Sequence, residues 1–309
     1  MEFSAAIKAF SLGYLVSLIG LVISWSLWQL LRPRLSPRER ADIGFAVLSG
    51  TFLTTFGLMT IVWLGVITGR IVMTTMRFMH LMSGPWGASL TIFGLVVFAA
   101  SLILVLIAWY RGRVHLDSGG EVLEAHDGID LLAVDGVSTI GLVGVLKPQI
   151  WVNPAYWATL SPAHKRLAVR HELFHLKRRD NIKKSALSVL AGLFAVLPFS
   201  TKIVRQFELD DELAIDDLCR RSFPGEDYPG LVAHAAGWVL REKLQPVLSC
   251  LSHSEMALRL EMLSRPPASQ SSIMLALTGY ALILVGASPT IVLLLWEDTR
   301  CMIACWLGY

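Results

Sequence analysis

The chain has 309 residues, a mean hydropathy of +0.57 and 17% charged residues, with 54% drawn from the apolar set AVILMFWYC. A net charge of +3 is too small to imply direct binding of nucleic acid, and so low a charged fraction argues against an ordinary water-soluble domain. Four cysteines without a CxxC pair exclude a cysteine-based zinc finger, and Cys219 and Cys250 are expected as free thiols.

In chain order, uncharged runs cover Phe10–Leu31, Ile43–Gly69, Leu81–Tyr110 and Pro266–Trp296. Each exceeds the roughly 20 residues that cross a hydrocarbon core. The expected spans are 10–31, 43–69, 86–110 and 266–296. The first is too long for a signal-peptide core and reads as a retained anchor. The fold class expected is a multi-pass α-helical membrane protein with an α+β, mostly helical domain inserted between the third and fourth spans. Residues 1–110 form the three-span region, 111–265 the inserted domain, and 266–309 the fourth span with a short extracytoplasmic tail. Arg32, Arg34, Arg38 and Arg40 follow the first span, Arg111 and Arg113 the third, and Arg265 precedes the fourth. Positive residues at span ends favour the cytoplasm, so the domain is expected inside the cell membrane. Tryptophans such as Trp25 and Trp28 fall near span ends, where interfacial anchoring is expected.

Within the domain, Arg113 to Val152 is rich in Val, Ile and Gly, with turn signals at Gly119-Gly120 and Asp127-Gly128; it reads as short strands. Gly141 to Val152 reads as two strands around Lys147-Pro148, a segment that an extended substrate could join through Val145, Leu146 and Ile150. Ser161-Pro162 is an N-cap followed by proline at the first helical position, so a helix begins there. Residues 185–200 form an uncharged stretch that reads as a buried or membrane-dipping helix. Further helices are expected over about 201–222, 228–242 and 253–263.

The chemistry lies in His171-Glu-Leu-Phe-His175. Residues four apart share a helix face about 6 Å along the axis, so two imidazoles can grip one Zn²⁺. A catalytic zinc takes three protein ligands and leaves one position for water, and Glu172 can reach that water as general base. For the third ligand, Glu208, Glu212 and Asp216 recur every fourth residue in the run Phe207 to Asp216. Glu212 is the assigned ligand, Asp216 a carboxylate supporting an imidazole, Glu208 the rival ligand, and Asp211 a surface residue. Tyr228, His234 and His253 are candidates for stabilising an oxyanion, His164 is expected at the surface, and Lys177, Arg178 and Arg179 read as a solvated helix end.

Arg170-His-Glu-Leu-Phe-His-Leu-Lys-Arg-Arg-Asp-Asn181 resembles the signature of the BlaR/MecR-type membrane gluzincins of the M56 family, and more distantly the M48 CAAX-type proteases. Gly144 to Pro154, Glu212-x-x-x-Asp216 and Ala257 to Leu263 resemble further blocks of that family. The resemblance implies one zinc per chain held by His171, His175 and Glu212, with Glu172 as base and Asp180 and Asp216 in support. It implies an integral-membrane endopeptidase of the cell membrane, its site facing the cytoplasm. Its substrate would be a protein or peptide, such as a transcriptional repressor or the chain itself, in signal-regulated proteolysis. A housekeeping membrane protease and a non-catalytic receptor with a structural metal site are the competing readings. Penicillin-sensing members carry a large domain after the fourth span, whereas 13 residues follow it here; direct β-lactam sensing is not expected. Partners beyond substrate and the lipid bilayer, a homo-oligomer included, are not set by the sequence.

Overall fold

A computed structural model describes residues 2–46, 49–50, 52–53, 57, 85–114, 121–126, 129–135, 137–145, 147–194, 197, 199–242, 253–265 and 281. Helix α1 (Glu2–Leu31) is followed by a 3-10 turn (Arg32–Arg34) and a helical segment, α2, over 37–46. After α3 (Pro85–Val114) come strands β1 (Glu121–His126), β2 (Ile129–Ala133), β3 (Ile140–Val143) and β4 (Gln149–Val152). Helices α4 (Pro154–Thr159), α5 (Pro162–Arg178), α6 (Asp180–Leu193), α7 (Ser200–Ser222), α8 (Tyr228–Glu242) and α9 (His253–Ser264) complete the described chain.

Among the described residues no helix is long and apolar enough to cross a membrane. This overturns the multi-pass expectation; the fold class is α+β and mostly helical. The runs at 10–31 and 86–110 fall within α1 and α3, and lack of charge along a helix did not reveal that one side is taken up by protein. Tyr14 and Leu21 of α1 form a core with Leu187 and Phe194 at α6 and Phe207 of α7. The Tyr14 hydroxyl donates to the Leu193 carbonyl at 2.6 Å. Helix α3 approaches α1 so closely that a Cβ at Gly94 would stand 2.9 Å from that of Ser11. Trp28, expected at an interface, is instead buried against Ile43 and Gly44 of α2. The expected span at 43–69 is described only in part, and 266–296 lies outside the described residues apart from residue 281.

The four strands order as β1-β2-β4-β3. The β1–β2 and β3–β4 pairs are antiparallel hairpins, as the turn signals implied, while β2 and β4 run parallel. Strand β3 is therefore an edge. Gly144, just beyond it, has φ +94 and leaves no room for a Cβ beside the Lys147 carbonyl, which fixes glycine at the turn. The buried faces of β2 and β4 (Leu131, Ile150, Val152) pack on Leu167 and Ala168 of α5, Ile215 of α7 and Leu231 of α8. Burying these side chains holds α5 between the sheet and α7, and that placement fixes the site.

The helices expected at 201–222, 228–242 and 253–263 appear as α7, α8 and α9. The stretch 185–200 divides between α6, which ends at Leu193, and the start of α7. Leu187 and Phe194 pack on α1.

Candidate metal centre

Helix α5 starts where the sequence placed it: Ser161 accepts a hydrogen bond from His164 N and Pro162 opens the first turn. It ends at Arg179, the one described non-glycine residue with positive φ (57°), which also begins α6. His171 and His175 sit one turn apart on the buried side of α5. Their Nε2 atoms stand 3.2 Å apart, with the rings inclined at 78°. From α7, Glu212 brings Oε2 to 3.4 Å from His171 Nε2 and Oε1 to 3.3 Å from His175 Nε2. These three side chains could hold a metal ion. Glu208, the rival ligand, borders the same cavity one turn earlier but is not in that group.

The Nδ1 atoms point the other way and are occupied. Asp180 Oδ2 lies 3.1 Å from His175 Nδ1, and Asp211 Oδ2 lies 3.4 Å from it. His171 Nδ1 meets the Tyr228 hydroxyl at 2.8 Å, and that hydroxyl donates to Asp216 Oδ1 at 2.6 Å. Asp216 thus supports His171 chiefly through Tyr228, since its own oxygen is 4.0 Å from the ring. With each Nδ1 engaged, both Nε2 atoms face Glu212, the arrangement by which outer carboxylates orient metal-binding histidines. The donor set fits a divalent ion of zinc type.

Charge balance explains how so many ionisable groups share a buried site. Arg259 of α9 makes two hydrogen bonds to Asp216, at 2.8 and 2.7 Å, and stands 3.0 Å from Glu212 Oε2. Lys184 of α6 donates to Glu212 Oε1 at 3.3 Å. Burial alone would raise the Glu212 carboxyl, but His175, Lys184 and Arg259 hold it well below the carboxylate range. Burial likewise opposes charge on His175, yet Glu212, Asp180 and Asp211 outweigh it and keep the imidazole well above its ordinary value. Asp180 is brought down to about 2: burial resists ionisation, and the hydrogen bond from His175 with Arg178 and Lys183 overcomes it. Burial and Asp216 push Tyr228 well up, so its hydroxyl keeps its proton.

These shifts set the stability of the metal-free protein. Raised His175 contributes fully below its unfolded value of 6.5, and that contribution is lost as pH climbs through the higher folded value. Depressed Asp180 contributes above 3.8 and is lost as pH falls toward about 2. The expected result is a thermal midpoint highest between about pH 4 and 6.5, declining on both sides. Added zinc should lift the alkaline side, because the ion replaces a proton on the imidazole. Thermal scans without metal from acid to alkaline pH check this; a midpoint that does not fall above neutrality contradicts it.

Glu172 is buried at 5% exposure and borders a cavity of about 390 Å³. Among the described residues no side chain hydrogen-bonds its carboxylate. Tyr156 lines the same cavity, its hydroxyl pushed up by burial and by the Glu172 charge. Apolar walls come from Leu142 and Val143 of β3, and from Leu231, Val232 and Ala235 of α8. Val145 joins them, Leu146 lies outside the described residues, and Ile150 is a core residue at 1% exposure that does not border the cavity. Ile150 is therefore withdrawn from the expected substrate contacts.

Sequence reasoning also misplaced several charged residues. Asp211, expected at the surface, is fully buried between His175, Arg178 and Lys184. Arg178 is an ion-pair hub and not a solvated helix end. Lys184 and Arg259 went unsuspected, and Tyr228 supports an imidazole. His234 contacts Thr159 at 2.9 Å, outside the cavity, while the side chain of His253 lies outside the description. His164 stands at the α5 start, 3.8 Å from Asp227. Cys219 is a buried free thiol, pushed up by burial and by Asp216 and so unreactive; Cys250, Cys301 and Cys305 lie outside the described residues.

Residues 88–219 match the family model described as BlaR1 peptidase M56, a segment running from α3 through α7 and containing His171, Glu172, His175 and Glu212. No curated protein and no solved structure matches the chain. The family resemblance is borne out over that segment. The match covers less than half of the chain, and Tyr228 and Arg259 lie beyond the matched residues.

Proposed function

We propose that the protein is a zinc-dependent endopeptidase with Glu172 as its general base, a reading supported by the match of residues 88–219 to the M56 peptidase model. The carrying observation is the convergence of His171 Nε2, His175 Nε2 and the Glu212 carboxylate within 3.4 Å of one another, beside the buried carboxylate of Glu172. Zinc held by His171, His175 and Glu212 would supply Lewis acidity for activating water near neutral pH and polarising a carbonyl. Glu172 takes the proton of the attacking water and returns it to the leaving amine. Tyr228 and Asp180 hold the two imidazoles in orientation, and the apolar walls exclude bulk water. A structural site would be closed by a fourth protein ligand; the three donors found among the described residues stand next to a cavity, which favours hydrolysis.

Among the described residues β3 is an edge strand and borders this cavity, and an extended peptide laid along it would exchange main-chain hydrogen bonds with the strand. That supports a protein substrate cut in an extended segment. The M56 match supports a site at the cell membrane, with a repressor or the chain itself as substrate in regulated proteolysis.

Metal analysis tests the assignment. Purified without chelator, the wild type should carry one zinc per chain, and Glu212→Ala should lose most of it while chelator stops cleavage. Stoichiometric zinc in Glu212→Ala would transfer the ligand role to Glu208; wild type devoid of metal would end the proposal.

A further inference from the structure

The stretch between α1 and α2 lies outside the cavity and outside the segment matched by the family, yet it grips the metal centre from behind at two places. Asp42 of α2 accepts hydrogen bonds from Arg178 Nη2 at 3.2 Å and from Lys183 Nζ at 3.4 Å. Arg178 in turn donates to Asp180 at 3.2 Å and Asp211 at 3.3 Å, and Lys183 donates to Asp180 at 3.1 Å. Asp180 and Asp211 are the two carboxylates on His175 Nδ1. The second grip is on α7: Arg32 forms a two-pronged pair with buried Asp210 at 2.9 and 2.8 Å, and Arg40 approaches it at 3.6 Å. Asp210 stands two residues before Glu212 on the same helix.

We propose that residues 32–42 form a positioning strap for the metal centre, in which Asp42 orients His175 through Arg178 and the Arg32–Arg40 pair seats the α7 turn that carries Glu212. The consequence for metal rests on the metallopeptidase reading; the strap itself rests on these ion pairs. An isolated exposed ion pair contributes little, but this one is not isolated. Arg178 is largely buried and shared among three carboxylates, of which Asp180 and Asp211 also contact His175 and Asp42 does not. Without it, the guanidinium has only the two carboxylates that His175 also needs, and any drift toward one of them weakens that residue's hold on the imidazole. Both grips are charged and local, so displacement of α1 or α2 against the domain reaches two of the three metal ligands together.

Asp42 is half exposed, so its replacement does not endanger folding. In the full-length protein, Asp42→Asn should weaken zinc affinity by about tenfold, measured by competition with a chromophoric chelator. It should also lower kcat with KM unchanged, and speed amide exchange over residues 176–182 in the metal-free protein. Asp42→Glu should restore all three. Wild-type exchange and zinc affinity in Asp42→Asn overturn the strap. A wild type that binds no zinc fails the metallopeptidase reading alone, because the exchange comparison still decides the strap.

Discussion

Glu172→Gln should abolish peptide cleavage, lowering kcat by about 10²–10⁴-fold or more, while zinc content and thermal midpoint remain those of the wild type. The substitution keeps the volume of a buried side chain and removes only the ability to accept a proton. No described side chain hydrogen-bonds this carboxylate, so the amide leaves no partner stranded. The proposed metal ligands on either side of it, His171 and His175, are held by Tyr228 and Asp180. Activity on a quenched fluorescent peptide, measured with metal content on the same sample, separates the outcomes. Unchanged cleavage would remove Glu172 as the base, whereas joint loss of zinc and activity would make it a structural support.

Asp216→Ala should cost about 3–5 kcal/mol of stability, the effect expected when one partner of a buried ion pair is deleted. Arg259 is buried and makes both of its shortest hydrogen bonds to Asp216, so the truncation leaves a guanidinium with little but Glu212. The same change takes the acceptor from the Tyr228 hydroxyl and so loosens the His171 ring. Chemical unfolding of the metal-free protein gives the stability term, and zinc titration gives the second effect. Pairing Asp216→Ala with Arg259→Met should recover a large part of the stability but not the zinc affinity, because the apolar pair needs no neutralisation while Tyr228 still lacks its acceptor. A single variant as stable as the wild type would show that Arg259 finds its main partner elsewhere.

The features legible in the sequence are those set by local periodicity. The i, i+4 spacing of His171 and His175, the Ser161-Pro162 start of α5 and the four-residue recurrence ending at Asp216 all describe one helix at a time, and α5 and α7 realise them. The hairpin at Lys147-Pro148 was legible for the same reason. What escaped depends on pairs made across the fold. Asp211 sits in the acidic run Asp210-Asp211-Glu212, which alone looks like a solvated face; it is buried because Arg178 and Lys184, from a different helix pair, neutralise it. Arg259 is 47 residues from Glu212 in the chain and touches it only through the packing of α9 on α7. Ile150 illustrates the period-two rule working against expectation: its neighbours suggested a substrate strand, but its own side points into the core. The uncharged runs misled because length and hydropathy count residues without asking which side of a helix meets protein.

The corner at Arg179 has a bearing on how this region can change over generations. It lies between His175 and Asp180, and the left-handed turn there sends the chain back so that the carboxylate arrives beneath the ring five positions earlier. Adding or deleting one residue at that corner would swing Asp180 by about 100° around its helix and carry Lys183 and Lys184 with it. Residues 171 to 184 therefore form a fixed-length cassette: single letters can be exchanged within it, but its spacing has to be inherited whole.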